Sequence, residues 1–184
     1  MKNLICASLL LAFLFSLASC GSDDESNPTE ATLNHDGPNE FAPTLLAGDY
    51  EAAAAFRSAE TSQYTGWEIY EVEVFIRFLP DYASLTIYGA GDAMSPGTVL
   101  GTQTIPSLMP EQWNTITLDQ PVAISGNDLW VAVSFGHTAS EAVIGCDPGP
   151  AVTDGQWLYD ASTQTWEVVR ININWNIRAK IRQA

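Results

Sequence analysis

Twelve residues near the C-terminus restrict the fold more than any other stretch of this chain. Ile171, Ile173, Trp175, Ile177, Ala179 and Ile181 alternate with Asn172, Asn174, Asn176, Arg178, Lys180 and Arg182. A two-residue period held this long is a β-strand with one buried face and one wet face. On that pattern Trp175 is a core residue and Asn174 a solvated one. With Arg170 included, the strand carries four basic groups of a chain that has only 7. Those groups can balance acidic neighbours by cross-strand pairing.

The rest of the folded part repeats the theme. Trp67 to Phe78 gives a second long strand, with Tyr70, Val72, Val74, Ile76 and Phe78 on one face and Glu71, Glu73, Phe75 and Arg77 on the other. Ser84–Ala90, Val99–Ile105, Asn114–Leu118, Val122–Ile124, Leu129–Phe135 and Ala142–Cys146 follow as shorter strands. Gln156–Asp160 and Thr165–Val169 form a hairpin, and Ala52–Arg57 is the first strand, although its alanines also suit a helix. Breaker-rich loops, Gly89–Gly97 and Asp147–Pro150, separate them. Short strands at this spacing with no helical period predict an antiparallel all-β sandwich or barrel.

The N-terminus has a different character. Lys2 precedes an apolar run, Leu4 to Ser19, and small residues close it. The run is about 16 residues, shorter than the ~20 that a membrane span requires. This is a secretion signal. Its ending, Leu17-Ala18-Ser19-Cys20, resembles the bacterial lipobox. That resemblance implies removal of residues 1–19 and a lipid on Cys20, which would anchor the chain to a membrane. Gly21-Ser22-Asp23-Asp24-Glu25 resembles the acidic surface-export signal of Bacteroidetes lipoproteins, and implies an outer-membrane lipoprotein displayed at the cell surface. Such a charge cluster is also an ordinary solvated linker. Residues 20–44 are polar and rich in turn formers and read as a flexible acidic tether, so His35 is not counted as a ligand. Residues 45–184 remain for one domain with one core.

Acidic residues outnumber basic ones 22 to 7, a formal charge of −15. A surface this negative repels nucleic acid and anionic lipid and tolerates neutral ligands or divalent cations. Of the 3 cysteines, the lipobox resemblance implies that Cys6 leaves with the signal and that Cys20 is acylated. Cys146 then stands alone and reads as a buried, inert thiol.

Several segments together resemble a jelly-roll module of secreted Bacteroidetes proteins, related to the cleaved-adhesin and galactose-binding-like sandwiches. They are Ala54–Arg57, Tyr64–Gly66, Leu85–Tyr88, Trp113–Leu118, Pro121–Ile124, Asp128–Val133, Cys146–Pro150 and Asn174–Ala179, in the family's order. The resemblance implies a jelly-roll-like β-sandwich and a binding or adhesive role without catalysis.

The residues offer little for catalysis. His137 is the one histidine of the folded part, in the loop Gly136–Ser140, and no Gly-x-Ser-x-Gly elbow exists. Glu71 and Glu73 lie two apart on one strand face, ~6.6 Å between backbones. That spacing suits the carboxylate pair of a glycosidase, about 5–5.5 or 6.5–9.5 Å apart, but any Glu-x-Glu strand gives it. No His or Cys pair has zinc spacing. Asp147 and Asp154, flanking a Gly/Pro loop, could hold a structural calcium, and also suit a plain turn. Trp157, Tyr159 and Trp166 on the C-terminal hairpin are the candidates for a ligand-binding aromatic surface. The sequence therefore points to a lipid-anchored binding module for a glycan or a surface protein. A structural or assembly subunit of an envelope complex is the alternative, and a hydrolase using Glu71 and Glu73 comes last.

Overall fold

The computed structural model describes residues 28–184, so the signal, Cys20 and the acidic run lie outside the described residues. The described residues form ten strands in two antiparallel sheets. They are β1 (Glu30–Leu33), β2 (Gly48–Phe56), β3 (Trp67–Ile76), β4 (Tyr82–Tyr88), β5 (Val99–Thr104), β6 (Gln112–Ala123), β7 (Leu129–His137), β8 (Trp157–Asp160), β9 (Thr165–Val168) and β10 (Ile177–Gln183). One helical turn, α1 (Ser58–Thr61), follows β2. No helix among the described residues is long and apolar enough to cross a membrane.

The four-stranded sheet has the order β1-β10-β3-β6 and the six-stranded sheet β5-β4-β7-β2-β8-β9. With the β8–β9 hairpin set aside as an insertion, the remaining eight strands have the order of a double-sheet jelly roll. The expected all-β sandwich is the fold observed. Between the sheets lies one large core of buried side chains, among them Phe56, Ile69, Val72, Val74, Ile76, Leu85, Ile87, Val131, Val133, Phe135, Trp175, Ile177 and Ile181.

Local chemistry explains β2. Ala52 and Ala54 face this core, whereas Ala53 and Ala55 face a second, smaller cluster on the outside of the six-stranded sheet. The four alanines have helical propensity, but the strand is buried on both faces and burial decides the conformation.

Several sequence readings need correction. The tether was drawn to residue 44, yet Glu30–Leu33 is a strand paired with β10, Glu30 opposite Arg182 and Leu33 opposite Ala179. Only Leu33 of its four residues is buried, too short a pattern to show a period. β1 is therefore the first strand, and Ala52–Arg57 belongs to the second. His35, expected in that tether, is packed instead: its Nε2 lies 2.7 Å from Ala55 O and its ring stacks on Phe56.

The last strand is regular only from Ile177. Upstream, Ile171 is 45% exposed, while Asn174 and Asn176 are 1% and 0% exposed. The alternation continues in sequence, but the backbone there is irregular and both asparagines point inward. The strand expected at Ala142–Cys146 is replaced by single bridges, Ile76 to Ile144 and Cys146 to both Phe41 and Trp175. In β3 a bulge at Tyr70 breaks the face: Ile69 is buried, and Tyr70 turns out beneath the Arg182 guanidinium, 4.8 Å from its ring. Phe78, expected inward, is 46% exposed beyond the strand's end.

Candidate functional site

One end of the sandwich gathers the end of β2, the start of β3, the turn from β6 to β7, the β4–β5 loop and the start of β8. An open cleft of about 590 Å³ lies there, lined by Arg57, Asp92, Met94, Asp128, Asp154 and Trp157.

Arg57 organises it. The residue ends β2 with extended backbone and precedes α1. Its backbone N–H donates to Glu60 Oε2 at 2.9 Å. Its guanidinium donates to Asp128 Oδ2 at 3.1 Å and, through Nε, to Asp154 Oδ1 at 2.9 Å; Nη2 donates to that same oxygen. The cation also stands over the Trp130 ring, 5.4 Å from its centroid. Donating to Asp154 raises the Arg57 pKa further, so the charge is permanent.

Burial alone would raise the Asp128 pKa, but the Ser58 N–H at 2.8 Å and the Arg57 guanidinium outweigh it and hold the carboxyl below its usual range. Asp92 is also held low, by the Met94 and Ser95 N–H groups at 2.7 and 2.8 Å. Trp157 Nε1 approaches Asp154 Oδ1 at 3.4 Å. All donors to Asp154 converge on Oδ1, which leaves Oδ2 for a hydroxyl from outside.

Under the cleft lies the outer-face cluster. Ala53, Ala55 and Ala132 provide a shallow floor on which Trp130 and Trp157 lie, ring centroids 5.1 Å apart. Trp166 of β9 packs against Trp130 at 5.6 Å, and Tyr88 and Tyr159 pack against Trp166 at 6.5 and 5.5 Å. The hairpin thus curls back over its own sheet.

The structure brings the sequence candidates together but divides their roles. Trp157 is 1% exposed and is a packing residue whose indole edge reaches the cleft, which corrects the reading of it as an open platform. Tyr159 and Trp166 are half-buried neighbours in the same cluster. Asp154 lines the cleft, and Asp147 does not.

The two do not fit the expected calcium site. Asp147 Oδ1 accepts from the N–H groups of Gly149 and Asn174, Oδ2 accepts from Gly37 N–H, and the Asn174 amide reaches both oxygens. A cation needs free carboxylate lone pairs, and those of Asp147 are taken by these donors, while the charge of Asp154 is balanced by Arg57. No cluster of three His, Cys, Asp or Glu side chains suited to a metal occurs among the described residues.

Glu71 and Glu73 sit away from the cleft, on the outside of the four-stranded sheet. Glu71 accepts from Thr117 Oγ1 at 3.0 Å and Glu73 pairs with Lys180 at 3.4 Å. His137 is the last residue of β7 rather than a loop residue. It is 6% exposed, with Nδ1 2.5 Å from Ala139 O and its ring stacked on Tyr50. Cys146 is fully buried, and burial, with the charges of Asp147 and Glu40, pushes its thiol up to about 12. A thiol so far from ionisation is no nucleophile at neutral pH.

Arg57, Asp128 and Met94 are site residues that the sequence did not single out. The one signal was turn chemistry: Ser125-Gly126-Asn127-Asp128 and Gly89–Gly97 are the breaker-rich loops that build the cleft walls.

No protein-family model matches the chain, and no curated protein matches it. A solved structure does resemble it: the cysteine protease and lectin-like domains of Cwp84, a surface-layer associated protein of Clostridium difficile. The likeness has a TM-score of 0.50 at 10% identity and covers 86% of this chain. The chain spans 37% of that protein's length, so the likeness bears on the fold alone.

Proposed function

We propose that this protein is an extracytoplasmic binding module, lipid-anchored through Cys20 and displayed at the cell surface, that takes a neutral glycan in the cleft around Arg57. The observation that carries this is the arrangement of that cleft. A permanent cation, three carboxylates and an indole edge share one open, rigidly supported hollow. Sugar hydroxyls both donate and accept, so a guanidinium beside carboxylates suits them. The charge of −15 disfavours anionic ligands.

Catalysis has less support. Asp92 and Asp128 are held ionised, and a general acid needs a carboxyl whose pKa is raised. The lectin-like domain described for the structural neighbour agrees with a binding role. Glycan arrays followed by calorimetry test it. Asp154→Asn and Met94→Ala, both at the cleft, should each weaken the array-selected glycan about tenfold, ~1.4 kcal/mol. Silence across neutral glycans, or binding that both variants leave intact, overturns the assignment.

A further inference from the structure

The cleft around Arg57 has two unlike sides. In the six-stranded sheet β7 stands between β4 and β2, so the β4–β5 loop and Arg57 lie two strand spacings apart, ~9.5 Å. Arg57, Asp128 and Asp154 make one side charged. Ala93 and Met94 make the loop side aliphatic, and Met94 is 60% exposed. Val168 of β9 adds to the aliphatic lining.

The loop is closed on itself. Gly97 N–H donates to Gly89 O and Asp92 N–H to Ser95 O, both at 3.0 Å. A Cβ on Gly91 would collide with Ser95 O, and one on Gly97 with Ala90 O, so the turn is built on glycine. The Met94 and Ser95 N–H groups both donate to Asp92 Oδ1, which leaves lone pairs on Oδ2. One tightly bonded turn therefore holds a hydrogen-bond acceptor beside an aliphatic side chain. On the other side, Arg57 directs three of its five N–H groups at Asp128 and Asp154, and two remain for a ligand.

We propose, resting on the glycan reading of this cleft, that the sugar it selects carries an acetamido group, which the two sides recognise together. A hydroxyl against Ala93 and Met94 loses water and gains no partner. A methyl group alone suits those side chains and offers Asp92 no donor. An ammonium suits Asp92 and holds its hydration against the aliphatic surface. A secondary amide meets both sides at once. Its planar trans geometry places the N–H and the acyl methyl on one edge and the carbonyl on the other. The N–H then donates to Asp92 Oδ2 with the methyl against Met94, and the carbonyl accepts from the remaining Arg57 N–H groups. The group is neutral, so neither the charge of −15 nor the local excess of carboxylates opposes it.

Cellotriose, chitosan trimer and chitin trimer share one backbone and carry hydroxyl, amino and acetamido groups at the same carbon. Galactose and N-acetylgalactosamine repeat the comparison on a second ring configuration. Calorimetry gives the affinities, and amide chemical shifts of the protein locate the site. On at least one backbone the acetamido form should bind about tenfold more tightly than the hydroxyl form, with shifts at Arg57 and Met94. Met94→Ser and Asp92→Asn, both in an exposed loop, should each reduce that ratio to about threefold or less. The proposal fails if the ratio survives both substitutions. It also fails if the hydroxyl form binds equally well with shifts in the cleft, an outcome that leaves the glycan reading standing. Tighter binding of the amino form would show that the carboxylates select charge, and equal binding of fucose that a methyl group suffices; either refutes the acetamido assignment. If no sugar of any form shifts the cleft amides, the glycan reading falls and this proposal with it.

Discussion

The amide of Asn174 holds the loop 147–152 against the approach to β10. Its Nδ2 donates to both oxygens of Asp147 and to Pro150 O at 3.0 Å, and its Oδ1 accepts from Val152 N–H at 2.7 Å. Removing it leaves the Val152 N–H without its acceptor and takes the side-chain donor from the Asp147 carboxylate, which keeps three backbone N–H groups; each loss costs about 1–3 kcal/mol. Asn174→Ala should therefore destabilise by about 3 kcal/mol in denaturant melts, where a solvated asparagine would cost under ~0.5. Trp175→Ala should cost about 3–5 kcal/mol: the ring is 2% exposed and its Nε1 donates to Trp157 O at 2.9 Å. Period two located Trp175 correctly and misplaced Asn174. Hydrophobic alternation reports where apolar groups go, and it is blind to a polar group buried with its partners. Asp147 adds a pH signature. Burial would raise its pKa, but the Asn174 amide and three backbone N–H groups lower it below the ordinary carboxylate value. Its contribution is thus complete above the unfolded value near ~3.9 and lost as pH falls through the folded one. Acid melts should show a slope below about pH 4 that Asp147→Asn flattens while lowering stability at neutral pH. An unchanged slope would show that other carboxylates carry it.

At the scale of elements, β1 and the segment after it determine whether the roll is complete. β1 covers the edge of β10, and the Asp36 side chain, fully buried, meets the Arg178 guanidinium at 2.8 Å and the Asn176 amide at 2.7 Å. Arg178 in turn lies 4.0 Å over the Trp113 ring. A chain beginning at Pro28 should melt like the full chain, whereas one beginning at Ala42 should lose cooperativity and expose the β10 edge to self-association. Asp36→Ala leaves two buried donors without their carboxylate and should cost about 3–5 kcal/mol. Equal melts for the Pro28 and Ala42 chains would mean that β1 merely rests on the sheet. Long alternating strands such as β4 and the body of β3 were legible in the sequence, as was the β8–β9 hairpin with its turn Ala161–Gln164. β1 was not, because four residues with one buried side chain carry no period. The bulges were not either: Thr117 sits opposite Glu71 and Val122 opposite Ile69, so β6 is one strand where the sequence suggested two. The aromatic hairpin borders the cleft, but Arg57 and Asp128 lie 71 positions apart and meet only through the fold.

At the scale of the molecule, the chain enters and leaves at the end that holds the cleft. Glu30 pairs with Arg182 and Trp67 with Gln183, beside the turns that carry Arg57 and Asp128. If Cys20 bears the anchoring lipid, it lies ten positions before Glu30, a reach of at most about 35 Å. The cleft then lies on the membrane side of the domain, open to short glycans and crowded for long ones. Two measurements separate anchor from orientation. Cys20→Ala should abolish fatty-acid labelling and release the protein from the membrane fraction; equal labelling of variant and parent would refute the anchor. Inserting about twenty Gly/Ser residues ahead of Pro28 gives the domain freedom to turn, since such a linker behaves as a flexible coil. Affinity for a short soluble oligosaccharide should not change, because the cleft itself is untouched. Capture of a long polysaccharide by intact cells should rise several-fold. If capture is the same with and without the insertion while lipidation is intact, the cleft already faces away from the membrane.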